Sequence, residues 1–66
     1  MIKIYRNAIQ TERAFIDFEN IQYLSWSKHQ EDYEVKIYSN AGYILQIVST
    51  KEFNELLNMY KMYKGV

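Results

Sequence analysis

His29, Glu31 and Asp32 come closest to a reactive cluster in this 66-residue chain, an imidazole and two carboxylates within four positions. Such a set can serve as a general base or hold a metal ion when a pocket places the reacting atom within hydrogen-bond reach. These three fall in the polar run of residues 28–32, where neighbours in an acidic loop point apart, so the expectation is solvated surface. Asp17 and Glu19, two positions apart, lie on one side of an extended chain and read the same way. There is no Cys, hence no thiolate nucleophile, no disulfide and no Cys-built zinc site. No Ser/His/Asp pattern supports nucleophilic catalysis, and Gly42 and Gly65 alone cannot make a phosphate-cradling loop. The chain is therefore expected not to be an enzyme and to carry no cofactor or metal.

Composition narrows the remaining classes. Sixty-six residues make one small domain, spanning the whole chain 1–66, near the lower limit for a core without covalent staples. The 48% hydrophobic and 17% aromatic content belongs to a folded chain. Eight basic and eight acidic residues cancel, so there is no long-range pull on nucleic acid or anionic lipid. No apolar run approaches the ~20 residues of a membrane span, and Lys3, Arg6 and Asn7 interrupt any signal-peptide core, so the expected location is cytoplasmic. Residues with AT-rich codons (Phe, Tyr, Met, Ile, Asn, Lys) far outnumber Gly, Ala, Arg and Pro. That bias, with the short length, suggests an AT-rich genome and an accessory, phage or mobile-element product.

The elements that must position any functional group follow from periodicity. Residues 48–53, Val-Ser-Thr-Lys-Glu-Phe, spell a helix start. Ser49 is an N-cap, Glu52 completes a capping box, and Val48 and Phe53 stand at the two positions of a hydrophobic staple. The helix runs from Thr50 to about Lys64 and ends at Gly65, with Phe53, Leu56, Leu57 and Tyr60 on one stripe, Met59 and Tyr63 on its flank and Met62 towards solvent. Residues 33–38 and 43–48 alternate and are joined by Ser39, Asn40, Ala41 and Gly42, a β-hairpin in which Asn40 and Gly42 can take positive φ. Tyr33, Val35, Ile37, Tyr43, Leu45 and Ile47 form its expected inward set, leaving Gln46 and Lys36 wet. Residues 2–6, 14–18 and 21–27 read as further strands. Residues 7–13 read as a broad turn, with a helical turn near Thr11 to Ala14 as an alternative. The expected fold is α+β, a small antiparallel sheet of three to four strands with one C-terminal helix packed on one face.

One helix covers one face of a sheet, so the other needs either the N-terminal segment or a partner. The functional expectation is a non-enzymatic protein-binding module, self-associating as a homodimer or acting on another protein. A phage or mobile-element inhibitor of a host polymerase, nuclease or CRISPR effector, working by surface occlusion, is the narrower form. Its expected contacts are Trp26, Tyr38, Met59, Met62 and Tyr63, with Glu31, Asp32 and Glu34 as a mimic of phosphate charge. The alternative is a single-stranded nucleic-acid-binding domain that stacks bases on sheet tyrosines such as Tyr38 and meets phosphates with Lys3, Arg6 and Lys36.

Overall fold

Six short extended segments precede one helix along the chain. In the computed structural model, which describes residues 2–65, they are β1 (Lys3–Ile4), β2 (Ala8–Gln10), β3 (Phe15–Asp17), β4 (Ile21–His29), β5 (Asp32–Ser39) and β6 (Gly42–Ser49), followed by α1 (Thr50–Lys64). A single 3-10 turn, Phe18–Asn20, links β3 to β4. The fold is α+β as expected, but with two three-stranded antiparallel sheets, β1-β2-β3 and β4-β5-β6, where the sequence implied one.

The segment read as a broad turn holds a strand. Ala8 and Ile9 are buried in β2, between a turn at Arg6 and Asn7 that the Tyr5 N–H closes onto the Ala8 carbonyl at 2.8 Å and a second turn from Thr11 to Ala14. Thr11 makes that turn without a helix. Its N–H donates to the Ala14 carbonyl at 2.8 Å, and its hydroxyl oxygen accepts the N–H groups of Arg13 and Ala14 at 3.2 and 3.1 Å. The polar run 28–32 is likewise mostly strand. His29 pairs with Asp32, so the loop shrinks to Gln30 and Glu31, and Gln30 adopts φ +57, the positive value that tight hairpin loops require. In the next hairpin Ser39 pairs with Gly42; Gly42 takes φ +124, whereas Asn40 keeps negative φ and its side chain accepts from Gln22 at 2.9 Å.

This register corrects the expected inward set. Opposed residues in an antiparallel pair share a face. Tyr33 opposes Val48, Val35 opposes Gln46 and Ile37 opposes Ile44, so the inner residues of β6 are Ile44, Gln46 and Val48. Tyr43, Leu45 and Ile47 face outward and are exposed. A register irregularity between Ile21 and Tyr23 puts Ile21 on the inner side with Leu24 and Trp26, and leaves Tyr23 outside.

The helix start forms as the sequence requires. The Ser49 hydroxyl accepts the Glu52 N–H at 3.1 Å, and Glu52 Oε1 accepts the Ser49 N–H at 2.9 Å. Val48 and Phe53 are both buried beside this cap. The Thr50 hydroxyl also donates to the Glu31 carbonyl at 3.0 Å, tying the helix to the β4–β5 tip. Gly65 ends the helix at φ +77, donating its N–H to the carbonyls of Lys61 and Met62. Phe53 stacks on Tyr33, with ring centroids 4.0 Å apart, and Phe18 receives the rings of Tyr60 and Tyr63 edge-on at 5.7 Å each. Ile2, Ile9, Phe18, Ile21, Val35, Ile37, Val48, Phe53 and Leu56 form one core. The N-terminal sheet and the helix thus share the same face of the β4-β5-β6 sheet.

Two substitutions test this arrangement by chemical denaturation. Ser49→Ala should cost about 0.5–2 kcal/mol, and an unchanged midpoint and slope would show that the cap does not hold the helix. Thr11→Val, nearly isosteric, should cost about 1–3 kcal/mol because two turn N–H groups lose their acceptor; a neutral effect would show that the turn closes without the hydroxyl.

Candidate interaction surface

The helix and the N-terminal sheet leave the other face of β4-β5-β6 uncovered. Its residues fall in rows set by the register: Tyr23, Tyr38 and Tyr43; then Ser25, Lys36 and Leu45; then Ser27, Glu34 and Ile47. Tyr23 is 53% exposed, Tyr43 57%, and Leu45 and Ile47 48% each. Three neighbouring strands therefore present a tyrosine row beside an aliphatic column.

The tyrosines pack on one another. Tyr23 and Tyr38 stack at 4.2 Å and 13°, and Tyr43 leans on Tyr38 at 5.3 Å and 34°. Tyr38 thus has an aromatic neighbour on either side. Lys36 Nζ lies 5.5 Å from the Tyr43 ring centroid, a cation–π contact. Lys36 and Glu34 are both half-buried on this face. The surface is amphipathic, and its two charged side chains cancel.

The contact residues expected from sequence are divided among four places. Tyr38 and Glu34 lie on the open face. Trp26 lies on the helix side, edge-on to Phe53 at 5.3 Å, and closes the border of the core with half its surface exposed. Met59, Met62 and Tyr63 line a hollow of about 270 Å³ near the end of α1, together with Arg6. Met62 is 70% exposed, as its place opposite Phe53 implied. Glu31 and Asp32 sit at the β4–β5 tip with His29, all three exposed. Among the described residues no three His, Cys, Asp or Glu side chains converge as metal ligands. Asp17 ends β3 and Glu19 lies in the 3-10 turn, so this carboxylate pair is not on one strand.

The nucleic-acid set is also dispersed. Lys36 is on the open face, but Lys3 belongs to β1, which packs against α1, and Arg6 lies in the hollow beside Met59. Tyr23, Tyr43, Leu45 and Ile47 were not among the expected contacts. Loop length finds the three on β6: with two residues between Ser39 and Gly42, Leu45 must oppose Lys36 and share its face, while Tyr23 follows from the β4–β5 register. No helix among the described residues is long and apolar enough to cross a membrane. Comparison with known proteins returns no family model, curated protein or solved structure that matches this chain.

Proposed function

We propose that this chain is a non-enzymatic protein-binding module that works by laying the open face of β4-β5-β6 against another protein and occluding the surface beneath. One observation carries the reading: Tyr43, Leu45 and Ile47 form an exposed column beside a tyrosine row, on a face that no other part of the described chain covers. Interface cores favour aromatic side chains, which this face supplies in Tyr23, Tyr38 and Tyr43, while Lys36 and Glu34 cancel in charge. Length and codon composition support the narrower form, a small inhibitor or modulator of a host polymerase, nuclease or CRISPR effector. The acidic tip at Glu31 and Asp32 would then lie at one end of the contact.

Single-strand binding draws less support. Base stacking needs open ring faces, and Tyr38 is flanked by two other rings. Non-specific affinity for nucleic acid comes mainly from phosphate neutralisation, and Lys36 is matched on this face by Glu34.

Capture from a lysate of the source organism tests the proposal, using wild type beside the double variant Leu45→Glu, Ile47→Glu. Both side chains are half exposed, so their combined effect on stability should stay within about 1 kcal/mol, while the captured partner is lost. Equal capture by the two would move the contact off this face. In parallel, fluorescence anisotropy with labelled DNA and RNA single strands should show no binding at physiological salt. Micromolar binding abolished by Tyr38→Ala would put base stacking ahead of protein contact.

A further inference from the structure

β4 and β6 are the two edges of the C-terminal sheet, and they are unequally protected. β4 carries the irregularity near Gln22 and ends in Lys28 and His29, features that discourage edge pairing. β6 has no charged residue and no proline, and its register with β5 is unbroken over eight pairs. Such an edge is a ready template for another strand.

The direction of its unpaired groups follows from the ladder. Ser39 and Gly42 flank a two-residue loop and exchange main-chain hydrogen bonds, so bonded and non-bonded pairs alternate from there. Tyr38–Tyr43, Lys36–Leu45 and Glu34–Ile47 are the non-bonded pairs. The N–H and C=O of Tyr43, Leu45 and Ile47 therefore point away from β5. Ser49, next in that series, bears this out, because its N–H donates to Glu52 and not to β5. A cleft of about 520 Å³ runs along the same stretch, lined by consecutive residues from Tyr43 to Ile47 and, opposite them, by the turn at Thr11, Glu12 and Arg13. Consecutive residues belong to both faces, so the cleft follows the edge and separates it from the turn.

We infer that this edge pairs antiparallel with β6 of a second copy of the chain, about a two-fold axis at Leu45. Centred there, Leu45 exchanges two hydrogen bonds with Leu45 of the partner subunit, and Tyr43 exchanges two with Ile47 of the partner subunit. Every outward main-chain group of these three residues is satisfied, and the strand is its own complement. Tyr43 meets a β-branched residue across the junction, a favourable cross-strand pair, and no like charges meet because the strand has none. The two sheets become one of six strands, with both open faces on the same side. A single strand pair and its flanking side chains fall at the low end of stable interfaces, so the dimer should be in exchange with the monomer. This goes beyond the proposed contact with another protein, since the open face stays free in the dimer.

Sedimentation equilibrium and amide exchange of the whole chain test it. From micromolar to millimolar concentration the mass should rise from 8.0 kDa towards twice that value. Leu45→Pro removes an N–H that β5 does not use and should abolish the dimer, whereas Leu45→Thr keeps that N–H and should still dimerise. If Leu45→Pro fails to fold, wild-type exchange decides: the amides of Tyr43, Leu45 and Ile47 should slow roughly tenfold with concentration. A strict monomer, a folded Leu45→Pro dimer, or edge amides indifferent to concentration would each overturn the inference. So would a monomeric chain whose edge is protected only by a synthetic peptide of residues 42–49. Loss of the dimer in Tyr23→Ser with unprotected edge amides would show instead that copies meet by their open faces. Equal lysate capture by wild type and by Leu45→Glu, Ile47→Glu, with the wild-type dimer and its protected edge amides intact, would count against the proposed function alone.

Discussion

The pairing of Ser39 with Gly42 decides which half of β6 becomes core, and the rest of the molecule follows from that choice. A slip of one residue would turn Tyr43, Leu45 and Ile47 inward and expel Ile44, Gln46 and Val48. The other end of the strand forbids it. Val48 must lie on the helix side to pack beside Phe53 as the chain enters α1, and a period of two then carries Gln46 and Ile44 inward with it. Loop and cap set one register from opposite ends. Neither involves many atoms, yet an error at either would exchange core for surface along the whole strand.

With the register set, there is only one face for the remaining chain to cover. A helix of 15 residues is about 22 Å long, and its apolar stripe runs from Phe53, against Tyr33, to Tyr60, against Phe18. The N-terminal sheet supplies Ile2, Ile9 and Phe18 to that same core. Phe18 is fully buried where this sheet meets the last turns of the helix. Burial pushes the Tyr60 phenol beside it up from its ordinary value of 10.0. Because both layers are drawn to Val35, Ile37 and Val48, the described chain has no further element for the opposite face.

The helix, its cap, its end and both hairpin strands could be read from the sequence because each has a local cause within six residues. Ser49 and Glu52 satisfy each other's main-chain groups, and Gly65 takes a backbone conformation that costs other residues more. What the sequence does not show depends on relations between segments. The Ala8–Gln10 strand is too short to show a period, and it exists because Phe15 to Asp17 pairs with it. Thr11 passed as an ordinary turn residue, although its hydroxyl makes the turn. Keeping Gln46 in water is a single-residue preference, and the two-residue loop overrides it. Only Tyr38 and Glu34 of the expected contacts lie on the open face, since residue type marks a contact candidate without saying which side of a strand it occupies.

The stability of a domain this size is on the order of 3–10 kcal/mol, so the placement of a few large apolar side chains is a sizeable energetic choice. Leu45 and Ile47 would each contribute about 1.5–3 kcal/mol if fully buried, yet they stand half exposed on the strand whose inner side carries Gln46. Charge is distributed in the opposite sense. Lys28 and His29 close the β4 end, Glu31 and Asp32 mark its tip, and β6 has none. Exposed apolar residues and an edge without charges of its own therefore coincide on β6, with Glu12 and Arg13 across the cleft from it, while the other edge is broken and charged. The proposed contact over the face and the proposed pairing along the edge both draw on this one strand.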